Sequence, residues 1–226
     1  MEMPAIITQA VDSVDLGVIS EQVENYAPAI SVIKNTWDKE SLLEILNGQV
    51  AVPDSVINSA IEEKLDGSDK VKSLTLTSQA DGRLKIEADT FKVGRLELVG
   101  TVDEFVHKDS QTYAVYTVKE RELPDHKVVS WIFSRISLSM AQKLVGKIDL
   151  GADLPTTIDH NTVKIDFSEL LKQSDLGQTS FMGYNLLDAL VIEKAEPHDG
   201  YVEFTTSLNV PEPVKKMLQN IFLAAI

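Results

Sequence analysis

The chain has 226 residues, 43% of them hydrophobic, and its 35 Asp and Glu outweigh 21 Lys and Arg to give a formal charge of -14. Such a field repels phosphate backbones and anionic membrane surfaces, which argues against nucleic acid as a partner. With no cysteine anywhere, disulfides, thiolate nucleophiles and cysteine-ligated zinc are excluded together.

This length accommodates one large core or two small ones, and the reading favours one extended sheet-and-helix domain over 51–226, preceded by a helical segment over 1–50. Met1-Glu2-Met3-Pro4 lacks the basic start and apolar run of a signal peptide. No window approaches the roughly 20 apolar residues of a membrane span, so a soluble, cytoplasmic protein is expected.

In the first segment Ile7, Ala10, Val11 and Val14 recur at helical spacing, and Ile19, Val23 and Tyr26 mark a second short helix ended by Pro28. Asp38 is placed to cap a third, carrying Leu42, Leu43, Ile45 and Leu46 and stopped by Gly48. The segment is read as a cap packed on the sheet or as an interaction module. Pro53 then takes a first-turn position in a helix with Val56, Ile57, Ala60, Ile61 and Leu65 on its apolar face and Asp66-Gly67 at its end.

Residues 71–118 form the longest run with a period of two. Leu74 and Leu76, then Leu84, Ile86 and Ala88, then Leu96 and Leu98, then Ala114, Tyr116 and Val118 alternate with outward-facing residues. Gln79-Ala80-Asp81-Gly82 supplies a hairpin turn, and Gly94 and Gly100 interrupt the run 91–105 where a bulge or sharp bend is expected. Together these predict an antiparallel meander of long, bent strands.

After Glu122-Leu123-Pro124-Asp125 the period becomes helical. Trp131, Ile132, Arg135, Ile136, Met140 and Leu144, closed by Gly146, predict an amphipathic helix over 128–145, although Ile132, Ile136, Leu138 and Met140 also fit a strand. Strands are predicted over 162–167, 186–195 and 201–210, with Pro197-His198-Asp199-Gly200 turning between the last two. Pro211 and Pro213 open a final helix with Val214, Met217, Leu218, Ile221 and Phe222 on one face, ending in the apolar Leu223-Ala224-Ala225-Ile226.

Candidate chemistry is sparse. Asp125-His126, Asp159-His160 and His198-Asp199 could bind a metal or act as acid and base if they converged, the basis of a metal-dependent hydrolase reading. Each pair lies in a predicted turn, however, where Asp is favoured for backbone reasons. No Gly-x-Ser-x-Gly elbow, phosphate loop or dinucleotide fingerprint occurs. Gly177-Gln178-Thr179-Ser180-Phe181-Met182-Gly183 lacks a Lys-Ser/Thr ending, and Glu62-Glu63 and Asp103-Glu104 read as solvated acids. The expectation is a protein that is not an enzyme and carries no cofactor or metal.

From Trp131 to Val202, a helix followed by His160-Asn161-Thr162-Val163-Lys164-Ile165-Asp166-Phe167-Ser168-Glu169-Leu170-Leu171, then Gly183-Tyr184-Asn185-Leu186-Leu187-Asp188-Ala189-Leu190-Val191-Ile192 and Gly200-Tyr201-Val202-Glu203-Phe204, resembles the later half of bacterial tubular lipid-binding-like proteins. With the helix and meander at 53–122 the resemblance spans about 53–210, and the segment over 1–50 is an addition to that pattern. It implies a twisted sheet wrapped on a helix around a lipid groove.

The fold class expected is therefore α+β, a long, twisted, mostly antiparallel sheet packed on amphipathic helices. The first functional expectation is binding of an apolar, lipid-like ligand by Ile57, Ile61, Leu84, Ile86, Leu96, Leu98, Ile132, Ile136 and Met140, between sheet and helices. The same alternation would equally fill a solid interior. That leaves a structural or protein-interaction module, recruiting a partner or a second copy through 1–50 or the C-terminal helix, as the other expectation.

Overall fold

In a computed structural model that describes residues 29, 31–32, 39–65, 68–92, 94–126, 130, 132–145 and 154–223, the period-two runs between Val71 and Glu122 become four antiparallel strands. These are β2 (Val71–Ser78), β3 (Arg83–Thr90), β4 (Gly94–Lys108) and β5 (Gln111–Glu122). Before them come α1 (Lys39–Asn47), β1 (Gln49–Pro53) and α2 (Asp54–Leu65), and after them α3 (Leu138–Val145), β6 (Thr156–Asp159) and β7 (Thr162–Asp166). The chain continues through the short α4 (Ser168–Lys172), α5 (Asp175–Gln178), β8 (Ser180–Phe181), β9 (Tyr184–Asn185) and α6 (Leu186–Ala189) to β10 (Leu190–His198), β11 (Tyr201–Leu208) and α7 (Glu212–Leu223).

The main sheet runs β1-β11-β10-β4-β5-β7-β6, with β3 also on β4 and β2 on β3. Every ladder among the described residues is antiparallel, so the molecule is an α+β protein built on a large antiparallel sheet. Of the two expected interruptions Gly100 falls at a register shift, Val99/Gly100, whereas Gly94 starts β4 after a turn at Phe91 and Lys92; further shifts fall at Val102/Glu104 and Ile192/Lys194. At Gly100 a side chain is excluded, because a β-carbon there would collide with Thr117 O and the Tyr116 ring.

Two separate cores hold the sheet. In the first, Leu84, Leu96, Leu98, Tyr116 and Val118 meet Leu123, Phe133, Leu138 and Ala141. The second joins Ala29, Phe181, Leu186, Val214 and Leu218, which buries the C-terminal helix against the β8–α6 region.

Several boundaries differ from expectation for local reasons. Pro53 ends β1 rather than starting a helix, and α2 begins at Asp54, whose carboxylate accepts from Ser78 N at 2.7 Å and Ser78 Oγ at 2.6 Å. The division of the chain at residue 50 thus falls inside β1, which pairs with β11. The helix predicted over 128–145 is broken: the chain turns through 134–137 and α3 restarts at Leu138. Asn161 Oδ1 accepts from both Leu138 N (2.9 Å) and Arg121 (2.8 Å), while Ser137 Oγ accepts from Met140 N at 3.3 Å, giving the second piece its own cap. Leu186 and Leu187 belong to a helical turn capped by Asn185, so the strand predicted from 186 starts at Leu190. The helices expected around Ile7 and Ile19, the Asp38 cap, the stop at Asp66-Gly67, Trp131 and 224–226 lie outside the described residues. Among those described, no helix is long and apolar enough to cross a membrane.

Candidate functional site

The site grows out of one strand that serves two partners on the same edge. Along its first half, β4 pairs with β3 from Gly94 to Thr101; near its end it pairs with β10 through Ile192 and His107 alone. Between these points residues 102–106 have no register partner on that side, and residues 194–198 of β10 have register partners only in β11. Each strand carries a bulge here, at Asp103 in β4 and at Glu193 in β10.

Two hairpin tips border this irregular stretch. The β2–β3 turn closes through Gln79 N to Arg83 O (2.9 Å) and Gly82 N to Gln79 O (3.0 Å), with a positive φ at Gly82 but not at Asp81. Opposite, Gly200 in the β10–β11 turn accepts from Asp54 N at 3.0 Å and donates to Ser78 O at 3.3 Å, which ties that tip to β2 and α2. Beside these strands lies a partly open cleft of about 400 Å³. Its walls are Ala80, Gly82, Thr101, Val102, Asp103, Glu104, Phe105, Val106 and residues 193–198.

His107 stands at the one β4–β10 register pair. It is buried, with Nε2 2.8 Å from Leu187 O and Nδ1 2.5 Å from Thr112 Oγ1. A carbonyl only accepts, so Nε2 carries the hydrogen and, in the neutral ring, Nδ1 accepts from the Thr112 hydroxyl.

The register sorts the walls into two faces. Val102 and Phe105 lie opposite Tyr116 and Ala114, and Ala195 and Pro197 opposite Phe204 and Val202, so these side chains share the apolar face; Phe105 meets Phe204 edge-on at 5.3 Å. On the other face stand Glu104, Lys194, Glu196 and His198, with Asp103 at the bulge. Burial pushes the Asp103 carboxyl up, but hydroxyl donation from Thr101 and Thr117 and the nearby Lys119 charge outweigh it and hold the group below its usual range. Lys194 pairs with Glu196 at 2.7 Å, yet Glu196 also stands directly opposite Glu203.

Among the described residues, the buried Gln79 Oε1 and His198 Nε2 have no hydrogen-bond partner. The His198 ring is stacked on Tyr201, with centroids 5.0 Å apart.

None of the nine residues expected to line an apolar groove borders this cavity. Leu84, Leu96 and Leu98 are buried in the first core, with Ile86 and Ile136 packed against it. Ile57 and Ile61 are half-buried on α2, while Ile132 and Met140 stand 43% and 55% exposed, turned outward by the break before Leu138.

The His-Asp pairs occupy separate loops, and among the described residues no group of three or more His, Cys, Asp or Glu is placed to hold a metal. Asp125 binds Arg95 at 2.8 Å, and His160 contacts its neighbour Asp159 at 2.7 Å with both side chains 86% exposed. His160 has φ 51, a turn position that His tolerates better than most residues. The sequence reading passed over His107 and the irregular β4–β10 pairing, and it placed Pro197 in the turn after a strand ending at 195, whereas β10 runs to His198. Comparison with known protein families, curated proteins and solved structures finds no match to this chain.

Proposed function

We propose that this chain is a protein-interaction module that accepts a segment of a partner polypeptide in the cleft lined by β4, β10 and the β2–β3 turn. The observation that carries this reading is that cleft of about 400 Å³, bordered by residues 101–106 of β4 and 193–198 of β10 where their ladder is reduced to one register pair. Residues 102–106 have no register partner on the β10 side, and main-chain groups outside a regular ladder are available to a bound peptide.

Two measurements test it. In native-state hydrogen exchange, alternate amides of residues 102–106 should exchange far faster than those of Leu96 and Leu98; equal protection would remove the free edge. A random heptapeptide library displayed on phage should yield binders lost on Ala80→Trp, which fills the mouth from an exposed turn position. Failure of any sequence to enrich counts against the reading.

A second reading, uptake of an apolar chain-like ligand, is favoured by the half-buried Phe105, Phe167 and Phe204, whose rings cluster on the apolar face at 5.3 to 6.5 Å. Native mass spectrometry of the purified protein, followed by organic extraction, tests it: bare mass, no extracted lipid and no thermal shift with fatty acids eliminate it.

A further inference from the structure

We propose that α2 is a displaceable plug on the edge of β2, and that β2, once uncovered, pairs with β2 of a second copy of this chain. The observation that carries it is a side chain that stands in for a neighbouring strand. Asn58 on α2 donates from Nδ2 to Leu76 O at 2.9 Å and accepts at Oδ1 from Leu76 N at 2.8 Å. A carboxamide has the donor and acceptor of a peptide unit, so these two bonds are the ones an added antiparallel strand would make with Leu76.

Matching periods set the helix along the strand. Four residues of helix advance about 6 Å and two residues of strand about 6.6 Å, so side chains spaced i, i+4 on α2 meet every second residue of β2. Asp54, four before Asn58, accepts from Ser78 N at 2.7 Å and from Ser78 Oγ at 2.6 Å, one step along the same edge. The next outward-facing residue is Leu74, and the next α2 position, Glu62, stands exposed; among the described residues no side chain bonds the Leu74 main chain. Apolar packing adds little hold. Of the 12 residues of α2 only Leu65 is buried, and Val56 is 56% exposed. Displacing the helix therefore gives up few apolar contacts, and an incoming strand remakes the bonds at Leu76 while adding those at Leu74.

β2 is complementary to itself. Leu and Thr alternate from Leu74 to Thr77, and the strand's single charge, Lys72, is answered within its own copy by Asp89 at 3.0 Å. Around a two-fold axis at Thr75, Leu74 of one copy faces Leu76 of the other, Thr75 faces Thr75, and Lys72 falls beside Ser78. No like charges meet, and a Thr–Thr pair is a favourable cross-strand contact. A strand edge with so little charge and no proline is the kind that proteins keep covered.

The chain has no cysteine, so single cysteines report the register. Thr75 and Ser73 are both exposed. In the two-fold register Thr75 meets its counterpart as a non-hydrogen-bonded pair, about 4.5 Å between α-carbons and within disulfide reach, whereas Ser73 faces Thr77. The experiment compares Thr75→Cys and Ser73→Cys in the whole chain under mild oxidation at equal protein concentration, each with Asn58 intact and with Asn58→Ala. Disulfide-linked dimer of Thr75→Cys should form roughly tenfold faster in the Asn58→Ala background, on the scale of two lost hydrogen bonds, and Ser73→Cys should lag it in both. Hydrogen exchange on dilute Asn58→Ala protein should show the Leu76 amide deprotected while Leu96 keeps its protection. Leu76 protected as in the parent overturns the plug. No acceleration of crosslinking despite a deprotected Leu76 overturns the pairing, and equal crosslinking at 73 and 75 overturns the two-fold register. If Leu96 loses protection too, Asn58→Asp, which keeps the acceptor for Leu76 N, takes the place of Asn58→Ala with the same expected order and the same overturning results.

Discussion

The two halves of one edge of β4 have the same backbone and opposite fates. Over its first half the strand makes eight register pairs with β3, and Leu96 and Leu98 enter the first core with Gly100 closing on Tyr116. Over its second half it makes one pair with β10, and residues 102–106 are half-buried or exposed. Both halves contain apolar residues, so composition alone does not separate them. The difference lies in what covers the apolar face and in what anchors the neighbouring strand. Phe133, Leu138 and Ala141 press on the first half. Beside the second, bulges at Asp103 and Glu193 break the register, and the tip of β10–β11 is tied to β2 and α2. A ladder keeps its register where side-chain packing fixes both strands on one surface, and loses it where each strand carries a bulge and is held from elsewhere.

Substitutions in the closed half should have the largest effect. Gly100→Val places carbon against Thr117 O and the Tyr116 ring, with no flexible group on the backbone side to yield. A loss of about 3 kcal/mol or more, or failure to fold, is expected in urea unfolding. Retention of wild-type stability would mean that β4 and β5 approach less closely than described. A paired measurement sharpens the contrast: Leu96→Ala, at a side chain 2% exposed, should cost about 3 kcal/mol. Phe105→Ala, in the open half with contacts to Phe167 and Phe204, should cost only about 1–2 kcal/mol despite the larger side chain removed. Reversal of that order would show the open half to be the better packed.

Much of the closed half was legible in the sequence, because a core-facing strand writes its burial into a period of two. Leu84, Leu96, Leu98, Tyr116 and Val118 are all buried where the alternation put them. The open half was not legible for the same reason in reverse. At Asp103 a bulge shifts the period by one, so Phe105 and His107 face the side that even-numbered Leu96 and Leu98 face, and a reading with constant parity loses them. The break before Leu138 was hidden too, since it depends on Asn161, 23 residues away, taking the amide of Leu138. The irregular β4–β10 pairing is a long-range property of which strands are tied to which, and no local pattern encodes it.

The acid limb of stability provides a smaller effect, specific to the bulge. Asp103 is held below the usual carboxylate range because donation by Thr101 and Thr117, with the Lys119 charge, exceeds the cost of burial. A depressed folded-state value stabilises the fold above the unfolded value of about 3.9, and that contribution is lost as pH falls through the folded value. Asp103→Asn should therefore lower the urea midpoint by a constant amount from pH 7 to about 5, and the two proteins should converge once the pH falls below the depressed folded-state value. A gap that persists undiminished in strong acid would assign the effect to packing at the bulge rather than to charge.

The smallest expected change is a gain. Glu203 faces Glu196 across the β10–β11 ladder, and Glu196 has the company of Lys194, whereas no ion pair among the described residues serves Glu203. Glu203→Gln removes the repulsion, keeps the length and hydrogen-bonding capacity of the side chain, and breaks no ion pair seen in the fold. Stability should rise by about 0.2–0.5 kcal/mol at low ionic strength, the scale of a single cross-strand charge pair, and the gain should vanish near 1 M salt, where the screening length falls to about 3 Å.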